Sequence, residues 1–326
     1  MSKFKLRVWH EKGEMEIKTV QSFLLAIVLL IVLAPLCAAA TPGFSARAMG
    51  MGGAYTAVAD DGNAAYWNPA GITQVKMGLA LNGGFEGSLK QIEAIQKKNP
   101  NALDGALGLK GGASLVLKNF GLSYVADRRA ALESGTLLKT MRIDQTDQVA
   151  FTVAHDLTDL LAFGLNVKYV TVETGKFTET GRIAPADNDN GVALDLGAMA
   201  KVGKLVRVGA VLKDCGLTKL EREGEADGWP TQLVLGGAVK VPLFGTVVAA
   251  DLVTPLSQGQ DTTFHIGVEQ PLLGILVLRA GGYQDSAGFN FAAGCGLKLG
   301  PVAFDVAASL DAAEVATVYA TAQLKF

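Results

Sequence analysis

The chain ends on Val315–Phe326, VATVYATAQLKF. In an extended strand Ala316, Val318, Ala320, Ala322, Leu324 and Phe326 fall on one face, and Thr317, Tyr319, Thr321, Gln323 and Lys325 fall on the other. This is period-2 alternation carried to the last residue. A strand apolar along one whole face and polar along the other suits a wall with hydrocarbon outside and water or protein inside. That is the design of a transmembrane antiparallel β-barrel. The rival is a soluble two-sheet β protein, whose chain rarely stops inside such a strand.

Reading back from the end, the same texture recurs. Strand-like segments are expected at 75–86, 111–118, 120–129, 138–156, 161–176, 190–202, 204–214, 231–241, 243–254, 262–271, 273–284, 288–299, 301–311 and 314–326. They number about fourteen, an even count as in single-chain bacterial barrels. Connections after the second, fourth, sixth, eighth, tenth and twelfth strands are tight, for example Lys118-Asn119, Gly203 and Gly300. Those on the opposite side are longer and more polar, such as Gly87–Lys110, Thr178–Asp189 and Gly216–Pro230. Short turns at one end and long loops at the other mark a barrel whose turn end is periplasmic.

Charges keep to one face. Phe163, Leu165, Val167 and Tyr169 oppose Asn166 and Lys168, and Val192, Leu194, Leu196 and Ala198 oppose Asp195 and Lys201. Val206, Val208, Ala210 and Leu212 oppose Arg207 and Lys213, while Phe264, Ile266 and Val268 oppose Thr263, His265 and Glu269. Asp251, Arg279 and Asp305 complete the set of lumen-facing candidates. They are expected to pair across the lumen, to hold a plug, or to line a permeation path.

Composition agrees. The 326 residues are 49% hydrophobic and 18% charged, with 39 glycines. Each glycine costs a helix about 1 kcal/mol relative to alanine, so a helical bundle fits poorly. The one long apolar run, 23–40, reads as a signal peptide. Lys3, Lys5, Arg7, Lys12 and Lys18 precede it, Pro35 breaks it, and Ala38-Ala39-Ala40 offers a cleavage site. A permanent N-terminal anchor is the rival, and Met15 gives a more ordinary start than Met1. The whole chain's 29 basic and 31 acidic residues become 24 and 28 without residues 1–40, which carry five and three. No basic patch points to nucleic acid. Cys215 and Cys295 lack metal-site spacing and read as free thiols or an incidental pair.

Residues 41–74 break the strand pattern and read as a compact plug ahead of the barrel at 75–326. Small residues at Gly50, Gly52, Gly53 and Gly71 permit close backbone approach, and Tyr66 and Trp67 supply anchoring area. Asp60 or Asp61 is expected to cap a short helix, and Asn68-Pro69 to end it in a turn.

The run from Ala46 to Gly71 (ARAMGMGGAYTAVADDGNAAYWNPAG) resembles the N-terminal signature of the PorV/PorQ family of outer-membrane proteins, distant relatives of the FadL long-chain fatty-acid transporters. Similar elements follow in order: Asp251 in AADLVTP, His265–Glu269 (HIGVE), Leu278–Tyr283 (LRAGGY) and Gly294–Gly300 (GCGLKLG). The sequence departs from the pattern at Asp305-Val306-Ala307-Ala308, where the family has aromatics, and by an extra glycine at Gly281 or Gly282. The resemblance implies a fourteen-stranded barrel with residues 41–74 folded into the lumen as a hatch. It also implies the outer membrane of a diderm bacterium, with outer-membrane lipid and lipopolysaccharide around the barrel. Phe326 resembles the terminal aromatic by which the barrel-assembly machinery recognises its clients. Two functions remain open. One is FadL-like passive transport of a hydrophobic or amphipathic small molecule. The other is a PorV-like part in secretion or surface assembly with a secreted client protein.

Catalytic chemistry is not expected. Gly50-Met51-Gly52-Gly53 lacks the spacing and context of a nucleotide loop. His155-Asp156 point to opposite faces, and His265 and Glu269 stand about 13 Å apart along one strand at ~3.3 Å per residue. In Asp187-Asn188-Asp189-Asn190-Gly191 the glycine comes one position early for a calcium loop, so a solvated loop is expected. Neither metal nor cofactor is expected.

Overall fold

The structure, a computed structural model, describes residues 44–88, 106–133, 140–178, 181–182, 187–216, 230–256, 261–285, 288–311 and 315–326. The expected signal peptide at 1–40 and most of the longer loops lie outside the described residues. Two short α-helices open the described chain, α1 (Ala46–Gly50) and α2 (Ala64–Trp67), followed by a 3-10 helix, Pro69–Gln74. The strands are β1 (Met77–Ser88), β2 (Ala106–Leu117), β3 (Phe120–Glu133), β4 (Thr140–Thr158), β5 (Leu161–Thr178), β6 (Gly181–Arg182), β7 (Asp187–Val202), β8 (Val206–Gly216), β9 (Gln232–Lys240), β10 (Val247–Pro255), β11 (Thr263–Leu272), β12 (Leu276–Asp285), β13 (Gly288–Leu299), β14 (Val302–Leu310) and β15 (Val315–Lys325).

Fourteen of them form a closed antiparallel barrel. Each pairs with its sequence neighbour, and the ring shuts where β1 meets β15, Leu79 opposite Leu324. The two-residue β6 only extends the end of β5. Backbone bonds between Met77 and Phe326 run in both directions, so the final residue seals the seam. Closure leaves no edge strand, which hydrocarbon requires because it offers backbone groups no partner. Asp187–Gly191, expected as a solvated loop, instead opens β7 and pairs with β5, Asn188 opposite Glu173. Among the described residues no helix is long and apolar enough to cross a membrane.

Alternation sorts the two faces. Phe151, Phe163, Val167, Tyr169, Leu235, Phe291, Phe304 and Val318 are exposed on the outside, while Asn166, Lys168, Asp251, Glu269, Arg279 and Asp305 are buried inside. An exterior this apolar is stable only against hydrocarbon. Val167, on the outward face of β5 between the exposed Phe163 and Tyr169, tests this. A Val167→Lys barrel should lose roughly 2–4 kcal/mol in a bilayer, whereas Leu243→Lys, in the turn before β10, should lose about 0–1. Urea titration of barrels folded into phospholipid vesicles measures both; equal losses would mean that lipid does not cover Val167.

Candidate functional site

Residues 44–76 lie inside the ring. Ala46, Ala48, Met51, Ala54, Tyr55, Ala57, Ala59, Ala64 and Ala70 are buried there. Helices this short cannot stand alone, so the barrel wall holds the segment's shape. Gly52 and Gly53 take positive φ, 64° and 80°, and turn the chain after α1 with their backbone hard against β11 and β12. Asp60 and Asp61 cap neither helix, contrary to expectation. The N-cap of α2 is Asn63, without a side-chain cap bond; Asp61 Oδ1 accepts the Asn63 amide and its Oδ2 accepts the Tyr55 hydroxyl at 2.7 Å. Asn68-Pro69 does end α2, and Asn68 then starts the 3-10 helix by accepting the Ala70 amide. Trp67 donates to the Phe44 carbonyl at 3.0 Å.

A seat of glycines receives the segment. Cβ atoms at Gly164 and Gly197 would overlap Pro69; at Gly209 and Gly236, Thr56; at Gly267 and Gly281, Met51. These are three cross-strand pairs in register. Gly112 faces the Phe44 ring, Gly294 faces Gly50, and Gly71 packs on the Ala59 carbonyl within the segment. Backbone therefore lies directly on backbone around much of the ring. Sequence reading missed these inward glycines, although their parity on successive strands carried the signal.

Inward polar side chains bind the segment's main chain. Asp251 Oδ2 accepts the amides of Tyr55 and Thr56, both at 2.8 Å. His265 Nδ1 lies 2.6 Å from the Gly52 carbonyl, which can only accept, so that nitrogen carries the proton. Thr321 accepts the Ala46 amide, Asn166 donates to the Ala65 carbonyl, and Asn68 donates to the carbonyls of Thr56 and Ala198.

Arg47 is the hub. It donates to Glu269 at 2.8 and 3.0 Å, to Asp60 at 2.7 Å and to Asp61 at 3.3 Å. Arg279 donates to Glu269 and to Asp305, and Gln323 closes the chain on Asp305. Arg207 reaches Asp60 at 3.4 Å, and Lys325 bonds the Asp60 carbonyl. Nothing in the spacing of a lone arginine among Ala, Gly and Met foretold this network.

Burial by itself would raise the Asp60 carboxyl, but Arg47, Lys325 and Arg207 outweigh it and hold the group below its ordinary value. A depressed carboxyl contributes stability that is present above about pH 4 and lost as pH falls through its native value. Protection of the amides of residues 44–76 against hydrogen exchange, corrected for the intrinsic exchange rate at each pH, should therefore fall as pH drops below about 4. Corrected protection that is unchanged between about pH 4 and about pH 2 would remove the Asp60 carboxyl from the segment's stability.

Lys168 joins Asp195 at 2.5 Å and also Asp214, and Asp214 sits in a β8 bulge at φ 59°. The Lys213 ammonium lies 4.1 Å from the centroid of the Tyr66 ring. Lys201 has inward parity yet is exposed at the turn end, outside these networks. Among the described residues no His, Cys, Asp and Glu group could hold a metal.

Two cavities flank the segment. The turn-end cavity, about 390 Å³, is lined by Arg47, Asp60, Asp61 and the turn-end residues of β8–β15. The loop-end pocket, about 30 Å³, is lined by Met49, Gly52, Gly53, Thr56, Trp67, Lys213, Gln232, Val234, Asp251, Val253, His265 and Tyr283.

Barrels of this plan occur among solved structures. The CymD monoaromatic hydrocarbon channel is 14% identical with a TM-score of 0.62, covering 87% of this chain and 98% of that chain. This chain has the fold of the hydrocarbon channels. The toluene transporter TodX of Pseudomonas putida (14% identity, TM-score 0.60, 88% of this chain and 98% of that one) is similar too. So is a FadL homologue from Pseudomonas aeruginosa (10%, TM-score 0.58, 87% and 99%). Searches against protein-family models and curated proteins return no match. The PorV/PorQ resemblance thus rests on sequence motifs alone, while the structural likeness is to FadL-like barrels.

Proposed function

We propose that the protein is a passive channel of the bacterial outer membrane for hydrophobic or amphipathic small molecules, with residues 44–76 as its hatch. The observation that carries this reading is the loop-end pocket against the hatch. Met49, Trp67, Val234, Val253 and Tyr283 offer an apolar and aromatic lining, and His265 stacks on Tyr283 with ring centroids 5.2 Å apart. Its 30 Å³ holds little more than a water, whereas small-molecule sites start at roughly 300 Å³. Entry of a ligand therefore requires the hatch to move. The fold shared with channels for monoaromatic hydrocarbons supports the same class of cargo. The interior offers binding and gating groups rather than a nucleophile beside a base, in keeping with a non-enzymatic role.

Liposomes carrying the purified protein should take up toluene or a medium-chain fatty acid faster than empty liposomes. Trp67→Ala should change the rate without unfolding the barrel. Uptake equal to the empty control for both probes would overturn the proposal.

A further inference from the structure

The turn-end cavity has a chemistry that hydrophobic transport does not use. Its lining carries seven cations, Arg47, Lys204, Arg207, Lys240, Arg279, Lys298 and Lys325, against four anions, Asp60, Asp61, Glu269 and Asp305. The anions are already engaged: Arg47 and Arg279 share Glu269, Arg279 holds Asp305, and Arg47 holds Asp60 and Asp61. Lys204, Lys240 and Lys298 have no ion-pair partner among the described residues. Lys240 and Lys298 stand at inward positions at the ends of β9 and β13, and Lys204 lies in the turn between β7 and β8, so all three converge on one concavity. Arg279 adds a second sign, since its buried Nη2 has no hydrogen-bond partner among the described residues. A volume of about 390 Å³ lies within the range of small-molecule sites, and concave walls of low dielectric focus the field of the uncompensated charges.

We propose that this cavity binds a soluble polyvalent anion of the phosphate class, carrying two or three negative charges, from the periplasmic side. Seven cations against four anions leave three charges to neutralise, which one monovalent carboxylate would not do. The ammonium groups of Lys204, Lys240 and Lys298 make the primary contacts. The site lies across the hatch from the apolar pocket and does not depend on what that pocket carries.

Inorganic pyrophosphate, titrated calorimetrically into detergent-solubilised protein at constant ionic strength, tests the assignment. Pyrophosphate should bind at least about tenfold tighter than acetate, and Lys240→Gln/Lys298→Gln should weaken it by about tenfold or more. Lys118→Gln, exposed in the turn between β2 and β3 outside the cavity, should leave binding unchanged. Heat-modifiable migration on gels establishes that each variant is a folded barrel. Equal affinity for pyrophosphate and acetate, or equal loss in the Lys118 and Lys240/Lys298 variants, would overturn the proposal. Binding of short-chain phosphatidylglycerol with pyrophosphate inert would assign the lysines to lipid headgroups and overturn it as well. None of these outcomes bears on hydrocarbon uptake, so the two readings fail separately.

Discussion

Replacing Gly267 and Gly281 together by valine is expected to leave the barrel standing and to drive residues 44–76 out of it. The two glycines oppose each other across β11 and β12. An added Cβ at Gly267 would run into the Met51 carbonyl, its carbon 2.9 Å away, and one at Gly281 would meet the Gly52 amide nitrogen at 2.6 Å. Overpacking of this kind costs roughly 1–3 kcal/mol per site, and here the atoms in the way are backbone, which cannot rotate aside. The strands themselves gain, since valine suits a strand better than glycine does. The strain thus falls on the segment's seat and not on the barrel. Arg47 offers a direct readout, because trypsin cannot reach it while it is buried. In the double variant trypsin should cut after Arg47 within minutes, with the barrel's heat-modifiable gel shift retained. An Arg47 bond as resistant as in the parent protein would show that the segment tolerates two valines beneath it, and the glycine seat would lose its meaning.

The second large effect is expected at Arg47 itself. Arg47→Leu removes the one cation shared by Glu269, Asp60 and Asp61. Deleting one partner of a buried ionic group costs roughly 3–5 kcal/mol, because the remaining charge stays desolvated without compensation. Arg279 remains on Glu269 and Arg207 near Asp60, which places the loss toward the lower end. Arg207→Leu makes the comparison. Its pair with Asp60 spans 3.4 Å at a third-exposed side chain, and such pairs contribute about 0–1 kcal/mol. Hydrogen exchange of the amides in residues 44–76 should speed up at least about a hundredfold in the Arg47 variant and less than about tenfold in the Arg207 variant. Similar acceleration in both would remove Arg47 from its place as the latch.

The two experiments probe different holds on one segment. Shape complementarity acts through backbone contact at Gly164, Gly197, Gly209, Gly236, Gly267 and Gly281. Charge acts at the turn end through Arg47 and the Glu269–Arg279–Asp305 chain. The ion pairs border the turn-end cavity, whereas none of these six glycines lines it.

Much of this molecule was legible in one dimension. Strand alternation depends on which neighbour is lipid, and that boundary acts on every second residue regardless of what lies across the lumen. Val318 and Thr321, Val167 and Lys168 could therefore be sorted by parity alone. The fourteen strands and the alternation of tight turns with longer loops followed from the same local rule. The inward position of Lys168, Asp195, Asp251, His265, Glu269, Arg279 and Asp305 came with it. What each of these groups holds did not. Asp251 binds amides 195 and 196 positions away in sequence, and Glu269 binds an arginine 222 positions away. Such pairings are set by how the ring closes and by the depth at which the segment sits, quantities no local pattern encodes. Asp60 and Asp61 show the consequence. Beside a short helix they look like caps, yet Arg47 takes both in direct hydrogen bonds instead. The sequence by itself determined a closed wall with an apolar outside, because hydrocarbon imposes its demand residue by residue. Only the tertiary structure decided that the interior glycines form a seat, that Arg47 pairs with three carboxylates and that three lysines line one cavity, because each depends on atoms brought together from opposite sides of a cylinder.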